Sequence, residues 1–324
     1  MSNKGKPGIL QKSSLYKGFR DNLGILIGLF IMCVALGILT DSFATTRNIF
    51  NVMRQISVNV FLACGMTMII LIGEIDLSVG SIIAVSGCLS AGLITNNGIP
   101  TIAAVLIAIV AGTMVGAFNG LVVSMTKIPS FIVTLAVMNI GRGFARIYTK
   151  STTILVDDDL FAAIGTGKIF AGIPIHIIYI IVVILISAFI LNRTKFGRHI
   201  YAVGDNELAA KFSGINARRV KFMVFLISGF LASCAGILSA SRTFSGQFSV
   251  GEGTEMDAIS AVVLGGTSMT GGVGQLSGTV IGCLVIGVLN NGMNLLGIDS
   301  SWQYVVKGFV VLLAVFIDYM KKRK

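Results

Sequence analysis

The sequence predicts an all-α, polytopic membrane protein of about ten transmembrane helices, built as two related halves of opposite orientation. Three observations carry that expectation. First, hydrophobic residues make up 54% of the 324-residue chain and charged residues only 12%, with a mean hydropathy of +0.89. A water-soluble core of this size has no use for so much apolar surface, and four prolines leave little room for a separate soluble domain. Second, positive charge is clustered. Third, two acidic pairs, Glu74 with Asp76 and Glu255 with Asp257, interrupt apolar sequence. Carboxylates in or beside hydrocarbon are costly, so they face a polar cavity, a partner or the interface, and two such interruptions suggest a transport path between two halves.

Taken in order, the chain opens with a basic tail (1–22) holding Lys4, Lys6, Lys12, Lys17 and Arg20. The apolar run Leu23–Leu39 follows it as a signal peptide would, but no A-x-A-like cleavage site follows, so it reads as a retained span. A span needs ~20 apolar residues, fewer where it is broken. Ten segments qualify: 23–40, 57–73, 79–96, 100–123, 128–148, 174–191, 220–241, 258–273, 276–296 and 303–319. The third and eighth are short or rich in Gly and Ser. Six crossings precede the loop 192–221, which carries Arg193, Lys195, Arg198, Lys211, Arg218, Arg219 and Lys221. Lys321, Lys322, Arg323 and Lys324 close the chain as a second tail. An even number of crossings puts both termini and this loop on one side, which the positive-inside rule makes the cytoplasm. The expected membrane domain is 23–320. Loops 149–173 and 242–257 are then external, and Ser124–Pro129 internal.

Glycines 112, 116 and 120 recur every fourth residue, as do Ser228, Ala232, Gly236 and Ala240, rows that let helix backbones approach closely. A weak internal repeat pairs Ala111–Gly120 with Cys283–Gly292 and Glu74–Gly87 with Glu255–Gly266, relating spans two to five to spans seven to ten in inverted orientation. Within 192–221, Asp205 or Asn206 can cap a short helix over Glu207–Phe212, and Gly214 suits its left-handed end. Leu208, Ala209 and Phe212 give that helix an apolar face, which needs either the lipid surface or a groove on a cytosolic partner.

Other chemistries find little support. The net charge of +11 follows the loops and not a nucleic-acid patch. Cys33, Cys64, Cys88, Cys234 and Cys283 lie in apolar stretches without metal spacing and read as small core residues. His176 and His199 form no motif. Asp157, Asp158 and Asp159 read as a solvated acidic run. Arg142 and Arg146 read as the external end of span five, and Lys307 as snorkelling or pairing with an acid.

Three separated motifs resemble a known family. GEIDLSVGS (Gly73–Ser81) resembles the GGIDLSVGS signature of the ribose-type sugar permeases of bacterial ABC importers, with Glu74 where glycine is commoner. GRHIYAVGDNELAAKFSGI (Gly197–Ile215) resembles their cytosolic loop, and Gly251–Gly274 their second acidic motif. The resemblance runs from about Asn48 to Asp318. It implies a fold similar to the cobalamin-importer permeases. It also implies a second permease copy or paralogue, a periplasmic or lipid-anchored sugar-binding protein, and a cytosolic ATPase with two nucleotide-binding modules, in a bacterial cytoplasmic membrane. No phosphate-binding G-x-x-x-x-G-K-[ST] occurs in the chain itself, and no cofactor is expected. Residues 192–219 would form the coupling loop, with Asn206, Glu207, Leu208, Ala209, Ala210, Phe212, Ser213 and Gly214 meeting the ATPase.

For a neutral, hydroxyl-rich solute, Asn, Gln and Trp suit a weak lining. Asn119, Asn290, Asn291, Asn294, Trp302 and Gln303 are candidates, beside Glu74, Asp76, Glu255 and Asp257 as gates or helix-start residues. Hydrogen bonding between helices would explain each as well. The motifs are shared by ribose, galactose, xylose, allose and autoinducer-2 systems. The rival expectation is an ion-coupled secondary transporter in which Asp76 or Asp257 carries the ion, which leaves the patterned cytosolic helix without a role. An intramembrane enzyme would need a His–carboxylate pair or a Ser–Lys dyad, and neither pattern occurs.

Overall fold

The computed structural model describes residues 23–169 and 172–322; the expected tail 1–22 and the last two residues lie outside them. Helices form over Leu23–Leu39 (α1), Thr46–Leu71 (α2), Val79–Thr95 (α3), Thr101–Met125 (α4) and Ser130–Tyr148 (α5). A small lobe follows, with Ile154–Leu155 (β1), Asp159–Thr166 (α6), Lys168–Ile169 (β2) and Ile173–Pro174 (β3). Then come His176–Arg193 (α7), Lys195–Asp205 (α8), Glu207–Phe212 (α9), Ala217–Arg242 (α10) and Ser245–Gly246 (β4). Thr254–Leu264 (α11), Leu276–Leu295 (α12) and Ser300–Lys322 (α13) complete the chain.

By length and composition α2, α4, α5, α7, α10 and α12 can cross a membrane, and α1 and α3 are shorter apolar helices. The chain is therefore an α-helical, multi-pass membrane protein. Each of the ten expected segments holds a helix, but the bounds differ. α11 ends at Leu264, where the apolar sequence suggested continuity to 273. At ~1.5 Å per residue it spans only about 16 Å, half of a ~30 Å hydrocarbon core. α2 begins a full three turns earlier than expected, where Thr45 caps it by accepting a hydrogen bond from the Asn48 N–H at 3.3 Å. α8 was not expected at all. Its apolar residues, buried Ile200 and Val203 with half-buried Phe196, are spaced on one face among basic neighbours.

The interior is built around α2 and α10. Every residue of α2 from Ile56 to Leu71 is buried, and α10 packs against α2, α3 and α4. A stretch without charge from Ile56 to Leu71 belongs inside such a bundle. α4, α5 and α7 instead leave large apolar side chains exposed, among them Met114, Phe118, Ile140, Phe144, Leu185 and Phe189, as lipid-facing helices do. The glycine row on α4 meets α10 directly: a Cβ on Gly116 would stand 2.7 Å from the Gly229 Cα. No side chain fits between those backbones, so dispersion between them is maximal.

The two ends of the bundle differ. At one, residues 193–221 gather the basic side chains, and α8 closes on the end of α2. A Cβ on Gly204 would collide with the Leu71 carbonyl, and the same carbonyl accepts from the Gly272 N–H at 2.9 Å. At the far end, β1 pairs antiparallel with β4 (Ile154 opposite Gly246), tying loop 149–175 to loop 243–253.

Candidate functional site

Polar side chains gather in three places along the bundle axis. At the basic end, α9 is a six-residue helix set by local chemistry. Asn206 Oδ1 accepts from the Ala209 N–H at 2.9 Å, and Gly214, at φ +82°, turns the chain out of it. Ala210 faces inward and is buried, whereas Leu208 and Phe212 are 67% and 91% exposed. The charges on α9 form a chain. Glu207 pairs with Lys211 at 2.6 Å and with Lys221 at 2.9 Å, and Lys221 also holds Glu74 at 2.6 Å. Lys211, and then Lys221, hold the Glu207 carboxyl below the usual carboxylate range.

Lys221 thus connects α9 to the segment between α2 and α3. That segment leaves the helix at Gly73 and runs without helical structure to Ser78. Backbone groups in such a stretch cannot be left unpaired inside a membrane protein. Here α5 satisfies them: Ser130 Oγ accepts from the Ile75 N–H at 3.0 Å and Thr134 Oγ1 from the Leu77 N–H at 3.1 Å. Asp76, fully buried, accepts from the Ser78 N–H at 2.9 Å, from the Ser78 hydroxyl at 2.6 Å and from Ser228 of α10 at 3.3 Å. Asn119 of α4 donates to Ser78 Oγ at 2.8 Å. The carboxylate therefore organises the break by drawing three helices to it, and among the described residues no lysine or arginine is paired with it. It serves the start of α3 through the Ser78 N–H.

At the far end, the first turn of α11 carries Glu255 and Asp257 on opposite faces, each beside its own cavity. Asp257 accepts from Lys307 of α13 at 2.9 Å and from Asn290 of α12 at 3.2 Å. It lines a space of about 290 Å³ shared with Gln55, Asn59, Arg242 and Gln303. Glu255 lines a second space, of about 470 Å³, with Asn139, Arg142, Arg146, Phe248 and Glu252. Arg142 donates to the carbonyls of Phe248 at 3.2 Å and Val250 at 2.6 Å, and the Arg146 guanidinium lies 5.0 Å over the Phe248 ring.

The expected residues thus separate. Asp257, Asn290 and Gln303 converge on one cavity. Glu255 opens on another, Asp76 and Asn119 share the interior cluster, and Glu74 belongs to the basic end. Asn291 exchanges two hydrogen bonds with Asn48 of α2, at 3.0 and 2.9 Å, which is contact between helices. Asn294 accepts from Gln303 at 2.8 Å, and Trp302 is 65% exposed and lines none of these spaces. Sequence reasoning missed Lys221 as a junction and Asn139 as lining the same cavity as the two α5 arginines. The available signal was the polar stripe at 139, 142 and 146, spaced i, i+3, i+7 on one helical face. Among the described residues no cluster of His, Cys, Asp and Glu is arranged to hold a metal ion.

Residues 48–315 match the family model described as branched-chain amino acid transport system / permease component. A ribose import permease protein of Bacillus subtilis is 44% identical over 313 residues, covering 96% of this chain and 97% of its own. A ribose import permease protein of Escherichia coli is 42% identical over 301 residues (92% and 93%). A xylose transport system permease protein of Haemophilus influenzae is 34% identical over 361 residues (93% and 96%). No solved structure matches the chain.

Proposed function

Because the chain belongs to the family of branched-chain amino acid transport system permease components, we propose that it is the membrane-spanning subunit of an ATP-driven importer for a ribose-like monosaccharide. The observation that carries the choice of solute is 44% identity, over nearly the full length of both chains, to a ribose import permease protein. It is not an enzyme; it conducts a solute whose passage another subunit powers.

The basic end is the cytosolic face of a bacterial cytoplasmic membrane, with both termini on that side and about ten helices in the bilayer, two of them broken or half-length. The pairing of a helix break before α3 with a half-length α11 supports two halves related by inversion, as in the cobalamin-importer type of fold. α9 is the docking element for a cytosolic ATPase with two nucleotide-binding modules. Its exposed Leu208 and Phe212 supply the apolar knob, and Asn206, Glu207, Ala209, Ser213 and Gly214 the shape of the helix around buried Ala210. A sugar-binding protein delivers the solute at the far end. A second copy of this chain, or a paralogue, completes the path within the lipid.

Transport is then a switch between two packings. Nucleotide-driven closure of the ATPases displaces α9. Lys221, bonded to both Glu207 and Glu74, carries that displacement to the buried segment 73–78 and so to α3, α4, α5 and α10 around Asp76. At the far end Asp257, Asn290 and Lys307 bind one another and brace α11 against α12 and α13. Those bonds leave Asp257 ill suited to carry an ion, since its charge is already matched.

The test is a mild-detergent pull-down of the tagged chain from its native membrane, followed by ATPase assay with the purified binding protein. Co-purification of an ATPase with two nucleotide-binding motifs, and stimulation of its turnover by D-ribose, is the expected result. A chain that comes down alone and still moves ribose under an ion gradient without ATP overturns it.

A further inference from the structure

The two far-end cavities differ in how their polar groups are spent. Around Asp257 the carboxylate is matched: Lys307 and Asn290 donate to it, and Gln303 donates to Asn294 and to the Ile298 carbonyl, although Asn290 Oδ1 is buried without a partner among the described residues. Around Glu255 the charged side chains are less engaged. Glu255 is 8% exposed, and its Oε2 is buried with no hydrogen-bond partner among the described residues. Among those residues the Arg146 guanidinium makes no hydrogen bond or ion pair, and neither does the Glu252 carboxylate. Asn139 spends its amide N–H on the Leu135 carbonyl of its own helix, leaving its oxygen open. A buried acceptor without a partner is costly, which marks this side of the cavity as unfinished.

The cavity, about 470 Å³, is ample for a pentose. Its charges balance, two guanidiniums against two carboxylates, so it favours neither an anion nor a cation. Arginine forks and carboxylates engage adjacent hydroxyls in pairs, the first as donor and the second as acceptor. Arg142 is committed to the Phe248 and Val250 carbonyls and so fixes the wall. The Arg146 guanidinium rests 5.0 Å over the Phe248 ring, which helps to order it before any ligand arrives.

We propose that Asn139, Arg146, Glu252 and Glu255 form a sugar-binding subsite, with Arg142 and Phe248 as its frame, that receives the vicinal hydroxyls of a neutral monosaccharide at the far end of the permease. The subsite rests on the reading of the chain as a sugar permease and adds where the solute first meets it.

The experiment uses the full complex of permease, ATPase and binding protein in proteoliposomes, with D-ribose as probe. Arg146→Ala and Glu252→Gln are expected to lower ribose moved per ATP by about tenfold, the worth of one charged hydrogen bond. The binding-protein concentration giving half-maximal ATPase activity should not move. A shift in that concentration at unchanged ribose per ATP would make this surface a docking contact and overturn the subsite, as would no change in either. In parallel, Asn139→Cys in the otherwise unaltered chain is labelled with a membrane-impermeant maleimide. D-ribose delivered by the binding protein should slow the labelling at least about fivefold and L-leucine should not. Equal protection by both, or by neither, overturns the proposal even where the other variants fail to insert. A wild-type complex whose ATPase ignores ribose refutes the sugar-permease reading itself, and the subsite falls with it.

Discussion

Two lysines hold most of the electrostatic organisation, and they do different work. Lys307 neutralises Asp257 at 2.9 Å, with the carboxylate side chain only 6% exposed. Removing one member of a buried pair strands the other, at a cost of about 3–5 kcal/mol, whereas replacing both by apolar residues of similar size is close to neutral. Lys307→Ala should therefore lower the unfolding temperature in detergent far more than the double variant Lys307→Met with Asp257→Leu; equal losses would mean the pair contributes nothing as a pair. Lys221 answers two carboxylates on different elements. Lys221→Met should leave ATP hydrolysis running while ribose uptake falls by roughly tenfold, the scale of a typical coupling energy. Lys221→Arg should restore most of it. A variant that loses ATPase co-purification instead would place Lys221 in docking and not in transmission.

At the scale of single elements, α9 is the clearest case of local sequence dictating structure. Cap, charge pair and terminal glycine lie within nine residues, so no distant contact is needed to read them. Because Phe212 is 91% exposed, Phe212→Asp should leave folding and insertion untouched and abolish recovery of the ATPase in a pull-down. The pH dependence follows from Glu207. Its folded carboxyl titrates below its ordinary value of 4.5, so the charges it shares with Lys211 and Lys221 stabilise the loop fully above that value. They are lost as the pH falls below it. ATPase binding should be flat from pH 6 to 8 and weaken only under about pH 4.5, as read by co-purification across a pH series. Other elements were missed. The end of α11 at Leu264 is local in origin: Gly266, at φ +84°, turns the chain, with the Gly266 N–H on the Val263 carbonyl at 2.9 Å and the Thr267 N–H on the Val262 carbonyl at 3.2 Å. The glycine pair was passed over because apolar residues continue on both sides of it; tertiary contacts add to the stop, Gly265 against the Gly278 backbone and the Gly272 N–H on the Leu71 carbonyl. α8 escaped notice because only two turns of apolar face show between basic residues. The Glu255 pocket needed Arg142 and Phe248, 106 residues apart, to be brought together.

For the whole molecule, sequence spoke clearly about what is repeated or averaged, such as apolar content, charge clusters and glycine spacing, and poorly about which helix is central. α2 carries Arg47, Arg54 and several polar residues, yet its stretch from Ile56 to Leu71 is wholly buried. Burial in a membrane bundle is set by neighbours and not by hydropathy, since lipid and protein interior are equally apolar. The close α4–α10 crossing gives this a test. Gly116→Leu must force those backbones apart and should cost about 1–3 kcal/mol or more, seen as lower yield and a lower unfolding temperature. Gly28→Leu on α1, where a Cβ meets nothing within 4 Å, should be silent. Similar losses in both would mean that side-chain bulk in the membrane, and not this crossing, is responsible.

The position of α10 has a consequence for how the chain is made. Synthesis runs from the N-terminus, and the helices that α10 holds together, α2, α3 and α4, all leave the ribosome before it exists. Until it arrives, the small-residue face of α4 lacks its partner, and the buried acid before α3 lacks the Ser228 hydroxyl. The nascent first half is thus an unfinished shell, dependent on lipid or an insertion chaperone for cover. Final packing thus waits for α10, the seventh of the ten apolar segments, to enter among those already in the bilayer.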